Sequence, residues 1–181
     1  MKIKLLAFLL LTFSLITNNS NAQNHEKVNT WANFEQFKNE NDKLSRLKNG
    51  EERVVFLGNS ITIGWQETHP EFFENKTYVN RGISGQTTPQ MLVRFYADVI
   101  DIQATTVVIL AGTNDIAGNT GPMSIDMILN NIKSMTDIAL ANNVKVILCS
   151  VLPAYDYPWS PNKNPNIKIP KLNSKIKKYA I

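Results

Sequence analysis

Four short apolar runs, separated by segments with helical periodicity, constrain the fold of this chain more than any other feature. The runs are bounded by turn-forming residues, as buried strands are. They cover Val54 to Leu57, Thr77 to Asn80, Thr105 to Ala111 and Val144 to Leu152. Between them, apolar residues recur at helical spacing over Pro89 to Ile102 and Ser124 to Ala141. Continuous apolar strands that alternate with helices predict an α/β fold, in which a parallel sheet is covered by helices on both faces.

Two further helices are predicted at the two ends of this region. Residues 31–48 carry aromatic and leucine side chains at a spacing that suits an amphipathic helix, and Asn49-Gly50 supplies a C-terminal stop. The chain reaches Ile181 inside or just after another amphipathic helix. We therefore expect an N-terminal extension at residues 23–50, which contains the first of these helices, and a single domain at residues 51–181.

The first 22 residues have the pattern of a signal peptide. A positive start is followed by an apolar run from Leu5 to Ile16 and by small and polar residues up to Ala22. The apolar run is shorter than the roughly 20 residues that span a bilayer. We expect cleavage after Ala22, a secreted or periplasmic protein, and no stable membrane insertion. The single cysteine, Cys149, lies in an apolar strand and is expected to be a buried small hydrophobe.

The net charge of +4 does not indicate a nucleic-acid partner, because the positive charge is concentrated at the two ends. Lys2 and Lys4 lie in the predicted signal peptide, and six lysines lie between Lys163 and Lys178 without an acidic residue among them. Residues 23–160 contain 11 basic and 15 acidic residues, a net charge of −4. We expect the basic tail to form one solvated helix face.

The turn after the first strand, Gly58-Asn59-Ser60, is a candidate nucleophile site. Gly58 can take backbone angles closed to other residues, and Asn59 and Ser60 are good helix N-caps. A serine there lies beside free backbone N–H groups and the positive end of a helix dipole, which favour an alkoxide. The tripeptide alone also allows a purely capping role. Its spacing excludes the phosphate-binding loop, the dinucleotide fingerprint and the G-x-S-x-G elbow.

Ser60, Gly85 and Asn114 each fall just after the end of a predicted strand. In open parallel sheets, ligands bind beyond the carboxyl ends of the strands. Acyl transfer needs a nucleophile, a base and hydrogen-bond donors for the oxyanion. Ser60 offers a hydroxyl and its own N–H, Gly85 a second N–H, and Asn114 a side-chain amide. Convergence of these three donors would form an oxyanion hole.

Three sequence blocks resemble the SGNH hydrolases, also called the GDSL esterase/lipase family, over residues 50–180. They are Gly58-Asn59-Ser60, Gly85 within Ile83-Ser84-Gly85-Gln86-Thr87, and Gly112-Thr113-Asn114-Asp115. Asn59 stands where the family name has aspartate. The resemblance implies a three-layer α/β/α sandwich of flavodoxin-like type, with Ser60 as nucleophile and Gly85 and Asn114 in the oxyanion hole. It also implies that Asp115 is a structural partner of the loops.

The sequence departs from this family in one respect. The family's catalytic acid and base come from a D-x-x-H after a fifth strand, and no such pattern occurs here. The resemblance therefore implies that the last strand, the last helix and the acid–base pair are missing. His25 lies just past the predicted cleavage site. His69 lies nine residues after Ser60, about 13 Å along a helix, whereas a general base must come within roughly 3 Å. We expect weak or no ester hydrolysis by this chain, and the alternative is a non-catalytic or severely impaired binding protein.

The substrate is only weakly encoded. The loop from Pro153 to Pro165 is rich in proline and aromatic residues and follows the fourth strand. Its aromatic rings could stack on sugars or could simply anchor the loop. Candidate substrate contacts are Asn59, Asp115, Tyr155 and Trp159. We expect a short-acyl or carbohydrate acetyl ester as substrate, and neither a cofactor nor a metal ion.

Overall fold

A computed structural model describes residue 27 and residues 29–74 and 77–180. The predicted signal peptide lies outside the described residues. The strands are β1 Val54–Gly58, β2 Tyr78–Gly82, β3 Thr106–Ile109 and β4 Lys145–Leu148. The α-helices are α1 Lys38–Asn41, α2 Ser60–Thr68, α3 Pro70–Phe73, α4 Thr88–Val93, α5 Thr113–Ala117, α6 Ile125–Ala141 and α7 Pro165–Ala180.

The four strands form one parallel sheet in the order β2-β1-β3-β4, which confirms the predicted α/β fold. In the register, Gly58 lies beside Gly82, Leu57 beside Ile109, and Ile109 beside Leu148. The carboxyl ends of the strands are therefore nearly level. The turns that follow β1, β2 and β3 leave the sheet from this same edge.

The two faces of β1 are covered by different layers, because successive side chains of a strand point to opposite faces. Phe56 contacts the aromatic rings of α2 and α3, including Trp65 at 5.5 Å and Phe73 at 5.4 Å between ring centroids. Val55 and Leu57 belong to the main core, which includes apolar residues of α6 and α7. This arrangement is the predicted three-layer α/β/α sandwich.

β4 is shorter and less buried than the strand predicted over Val144 to Leu152. It lies at the edge of the described sheet, and its residues alternate between exposed and half-buried. Ile147, which lies on the same face of the sheet as Phe56, is 52% exposed. Cys149, which was expected to be buried, is only half-buried.

The single amphipathic helix predicted over residues 31–48 does not form. Residues 29–32 are helical, but Asn33 takes a left-handed conformation (φ 56°) and is followed by a 3-10 turn and by α1. Ala32 and Phe37 are both buried. Five residues apart on one helix, their side chains would point about 140° away from each other. The break at Asn33 allows both to face the core, and asparagine tolerates the left-handed angle.

The helix predicted over Pro89 to Ile102 consists of two parts. α4 ends at Val93, and a π-helical turn follows at Tyr96–Ile100. Arg94, directly after α4, and Asp98, within the π-helical turn, form an ion pair in the core, with 2.6 Å between Nη1 and Oδ2. The apolar periodicity predicted helix correctly, but it did not reveal this change of helical pitch.

α7 is the amphipathic helix predicted near the end of the sequence. It buries Ile169, Leu172 and Ile176, whereas most of its lysines are exposed. The basic tail is therefore a solvated helix face, as predicted. Among the residues that the structure describes, no helix is long and apolar enough to cross a membrane.

Candidate active site

The turns after β1 and β2 are in direct contact. The backbone N–H of Ile83 donates to Gly58 O at 3.2 Å, just beyond the paired ends of the two strands. A Cβ added to Gly82 would lie 2.8 Å from Asn59 O and 2.5 Å from Ile63 N. Glycine at position 82 therefore lets the turn that carries Ser60 pack against the end of β2.

Ser60 is the first residue of α2 and is exposed. The cap is supplied by Asn59, whose side-chain oxygen accepts the backbone N–H of Ile61 at 3.0 Å. Because Asn59 does the capping, the Ser60 hydroxyl is not needed for it. Asn59 is 1% exposed, so its side chain has little surface to offer a substrate.

Gly58 does not take a left-handed backbone angle, contrary to the reason given for it from the sequence. The requirement for glycine is steric. A Cβ at position 58 would lie 1.9 Å from Oγ1 of Thr62 and 3.1 Å from Leu110 O. The absence of a side chain therefore allows the first turn of α2 to fold back closely over the end of β1.

Gly85 lies three residues beyond β2 and is exposed. Its φ of +76° is a left-handed conformation that favours glycine. The space beside it is open, since a Cβ there would come no closer than 3.8 Å to Asn119 Nδ2. Asn119 also donates to Gly85 O at 2.9 Å. The second turn is thus tied to the segment that follows α5.

Asn114 is the second residue of α5 and is 4% exposed. Its Nδ2 donates to Gln86 O at 2.9 Å. A side-chain amide has two N–H donors, so this bond leaves one of them for another acceptor. The structure thus places the Asn114 amide against the residue that directly follows Gly85.

Asp115 is 2% exposed and holds the start of α4. Its carboxylate accepts the backbone N–H of Thr88 at 2.9 and 3.1 Å and also the Thr88 hydroxyl. Burial raises the pKa of the Asp115 carboxyl above its ordinary value, and the hydrogen bonds from Thr88 partly oppose that shift. These contacts match the structural role that the sequence resemblance implied for Asp115.

The aromatic loop at residues 153–165 contains both anchored and exposed rings. Tyr157 is 2% exposed and its hydroxyl is hydrogen-bonded to Oγ1 of Thr113, the neighbour of Asn114, at 2.9 Å. Trp159 is 62% exposed and lies on the Tyr157 ring, with 4.9 Å between centroids. Tyr155 is 87% exposed. Tyr157 therefore anchors the loop, while two other rings remain open to solvent.

The structure does not bring a described histidine to Ser60. His25 lies outside the described residues. His69 caps the carboxyl end of α2, whereas Ser60 begins the same helix, so the two are about 13 Å apart along the axis. His69 pairs with Glu71 at 3.1 Å, and both side chains are exposed. Over the described ranges, no group of three or more His, Cys, Asp or Glu residues is placed to hold a metal ion.

Two residues that bear on the site were missed in the sequence. Gln86 is 3% exposed and bonds through both its backbone and its side chain. Arg94 is fully buried and donates to Gly58 O at 3.3 Å, beneath the turn that carries Ser60. The available signal was the i, i+4 spacing of Arg94 and Asp98 beside the apolar face of the predicted helix.

The comparisons with known proteins agree with one another on a single family. The model of the GDSL-like lipase/acylhydrolase family matches residues 56–181. A proposed acylhydrolase from Bacteroides fragilis NCTC 9343 is 49% identical, with a TM-score of 0.81, over 83% of this chain and 73% of its own. A GDSL-like lipase from Bacteroides thetaiotaomicron VPI-5482 is 50% identical, with a TM-score of 0.81, over 83% and 74%.

A more distantly related structure has a similar fold. A proposed lipolytic protein of the G-D-S-L family from Desulfitobacterium hafniense DCB-2 is 25% identical, with a TM-score of 0.59, over 72% of each chain. Among curated proteins, none matches this chain significantly.

Proposed function

The chain belongs to the GDSL-like lipase/acylhydrolase family, and from this membership we propose that it is an exported serine esterase that acts on carboxylic esters. In this proposal Ser60 is the nucleophile, and Gly85 and Asn114 supply the oxyanion hole. The observation that carries it is the hydrogen bond from the Asn114 amide to Gln86 O, since it ties the third turn to the turn that contains Gly85. Export rests on the sequence pattern of residues 1–22.

The chemistry follows from the donors at the carboxyl edge of the sheet. Oγ of Ser60 would attack the ester carbonyl carbon, and the carbonyl oxygen would become an oxyanion. The backbone N–H groups of Ser60 and Gly85 and the second N–H of the Asn114 amide would stabilise that charge. The Ser60 proton passes to solvent water. Collapse of the tetrahedral intermediate then expels the alkoxide, which takes a proton from water to leave as the alcohol, and the acyl-serine that remains is hydrolysed by water.

The proton of the Ser60 hydroxyl needs an acceptor, and no described histidine is in reach of it. A hydrolase without its base keeps residual catalysis through the oxyanion hole and substrate binding, at a rate far below that of a complete triad. We therefore expect slow hydrolysis that depends on Ser60.

For the substrate we propose a short-acyl ester, with an acetylated carbohydrate favoured. The support is the aromatic loop at residues 153–165. Its buried Tyr157 is bonded to Thr113, next to Asn114, while Trp159 and Tyr155 are exposed. Aromatic faces of this kind can stack on sugar rings.

The test is hydrolysis of p-nitrophenyl acetate and of acetylated mono- and oligosaccharides by the full chain. Ser60→Ala should abolish the activity, whereas Ser134→Ala, an exposed serine on α6, should leave it unchanged. Hydrolysis that survives Ser60→Ala would refute the nucleophile. Activity at ordinary enzyme rates would show that a base is present and that the expectation of slow turnover is wrong.

A second candidate function is ester binding without cleavage, at the same site. The observation that favours it is the position of His69 at the opposite end of α2 from Ser60. Calorimetric titration with acetylated oligosaccharides distinguishes the two functions. Binding that is unaffected by Ser60→Ala, together with no hydrolysis, would establish the second.

A further inference from the structure

Gln86 directly follows Gly85 and joins three parts of the molecule by hydrogen bonds. Its backbone oxygen accepts Nδ2 of Asn114 at 2.9 Å. Its side-chain oxygen accepts Nε of Arg94 at 2.6 Å, and its Nε2 donates to the backbone oxygen of Ala32 at 2.8 Å. Both polar atoms of the Gln86 side chain therefore have a partner within the protein, at a position that is 3% exposed.

Arg94 connects Gln86 with the ends of β1 and β2. Its Nη2 donates to Gly58 O at 3.3 Å and to Arg81 O at 2.9 Å. Its Nη1 pairs with Asp98 Oδ2 at 2.6 Å. The guanidinium group is planar and rigid, so these bonds, together with the bond to Gln86, hold Gln86 against the ends of β1 and β2.

Residues 31–41, called here the N-terminal segment, are fixed to the same cluster. They lie outside the region that the family model matches, which begins at residue 56. Ala32 is fully buried, and the Phe37 ring lies 4.5 Å from the guanidinium carbon of Arg81. Asn41 donates to Asp98 Oδ1 at 3.1 Å. The N-terminal segment therefore bonds to the side chain of Gln86, whereas Asn114 bonds to its backbone oxygen.

We propose that Gln86 is a positioning residue, and that Arg94 and the N-terminal segment act through it to hold Gly85 in place. Gly85 has no side chain and is exposed, so its position depends on the residues on either side of it and on the exposed bond from Asn119 to its backbone oxygen. A misplacement of about 1 Å in a catalytic group can cost about a hundredfold in rate. The catalytic part of this inference rests on the proposed function, while the structural part, the placement of the Gly85 turn, does not.

The test compares Gln86→Met with Gln90→Met. Gln90 is a matched control, because its Nε2 also donates to the N-terminal segment, at Trp31 O and 2.7 Å. Its side chain does not bond to Arg94 or Asn114; Gln90 Oε1 instead accepts the backbone N–H of Thr87 at 2.9 Å, at the start of α4. We expect Gln86→Met to lower kcat by about 10- to 100-fold with KM within about threefold. Gln90→Met should leave both within about threefold.

A second measurement needs no turnover. The backbone N–H of Gln86 is bonded to Ile83 O at 3.3 Å, and its hydrogen exchange can be followed by NMR. In Gln86→Met this amide and the Asn114 side-chain amide should exchange at least about tenfold faster than in Gln90→Met. If Gln86→Met does not fold, Gln86→Glu replaces it with the same expected outcomes, because its carboxylate still accepts from Arg94 but sets an oxygen, in place of the Nε2 donor, against Ala32 O.

The outcomes separate this inference from the proposed function. If the wild type hydrolyses esters through Ser60, but Gln86→Met matches Gln90→Met in kcat and in exchange, the inference is wrong and the esterase stands. If the wild type shows no Ser60-dependent hydrolysis, the proposed function fails. The exchange rates alone then test whether Gln86 holds the Gly85 turn in place. Equal rates in Gln86→Met and Gln90→Met would overturn that structural part of the inference.

Discussion

The amide of Asn114 should contribute more to catalysis than to folding, and Asn114→Ala separates the two. The substitution removes a donor to the proposed oxyanion, which typically costs 10²- to 10³-fold in kcat, or about 2.7–4 kcal/mol. It also removes the 2.9 Å bond to Gln86 O and leaves that buried oxygen unpaired. The loss of stability from an unpaired buried acceptor is about 1–3 kcal/mol.

Asn119→Ala is the matched control. Asn119 also donates a 2.9 Å hydrogen bond from Nδ2 to a backbone oxygen of the second turn, that of Gly85. This bond is exposed, so water can replace it. We expect a loss of stability below about 1 kcal/mol and a kcat within about threefold of wild type.

Both variants are assayed for hydrolysis of p-nitrophenyl acetate, for urea denaturation and for affinity toward a boronic acid. The boronate forms a tetrahedral adduct with serine and reports the oxyanion hole even where turnover is slow. Asn114→Ala should weaken the adduct by about 10²-fold or more. An adduct as tight as that of wild type, or an equal effect of Asn119→Ala, would refute the assignment of Asn114.

Three further predictions concern the surroundings of the site. Arg94→Met leaves a carboxylate buried without its cation and should lower the free energy of unfolding by about 3–5 kcal/mol in urea. A loss equal to that of Arg94→Lys would contradict this. Burial raises the folded-state pKa of Asp115 above 3.8, so its contribution to stability is fully present below that value and is lost as pH rises through the raised pKa. Urea denaturation from about pH 4 to about pH 7 should therefore show wild type losing stability relative to Asp115→Asn, and a constant difference would disprove it. Gly58→Ala places a Cβ 1.9 Å from Oγ1 of Thr62 and should lower stability by about 1–3 kcal/mol. Gly64→Ala, on α2 with Thr62, meets nothing within 4 Å and should raise stability. Thermal unfolding that ranks these two variants the other way would show that Gly58 is not required sterically.

Much of the fold follows from local patterns in the sequence. The β-branched run predicts β1, and the apolar periodicity of α6 predicts which face of that helix is buried. Both patterns extend over only a few neighbouring residues. The family blocks around Ser60, Gly85 and Asn114 likewise stand in order after strands. The N-terminal segment was different, because residues 31–48 carry helical spacing, yet Asn33 breaks the helix so that Ala32 and Phe37 both reach the core.

The site shows the same division between local and long-range information. Residue types at turns identify Ser60 and Asn114 as candidates, since a hydroxyl and an amide are what acyl transfer needs. Nothing near Gln86 in the sequence indicates that it bonds to Ala32 and Asn114, which lie 54 and 28 residues away. The reason for glycine at position 58 was also misread, because the clash with Thr62 exists only once α2 is packed.

The amino-acid sequence by itself determined the alternation of strands and helices, the position of each turn directly after its strand, and the chemical groups at those turns. These depend on side-chain periodicity and on backbone preferences that act over a few residues. The tertiary structure alone decided how the turns are held together, through Arg94, Gln86 and the N-terminal segment. Their hydrogen bonds join residues far apart in the chain, and buried polar groups become worth pairing only after packing has excluded water.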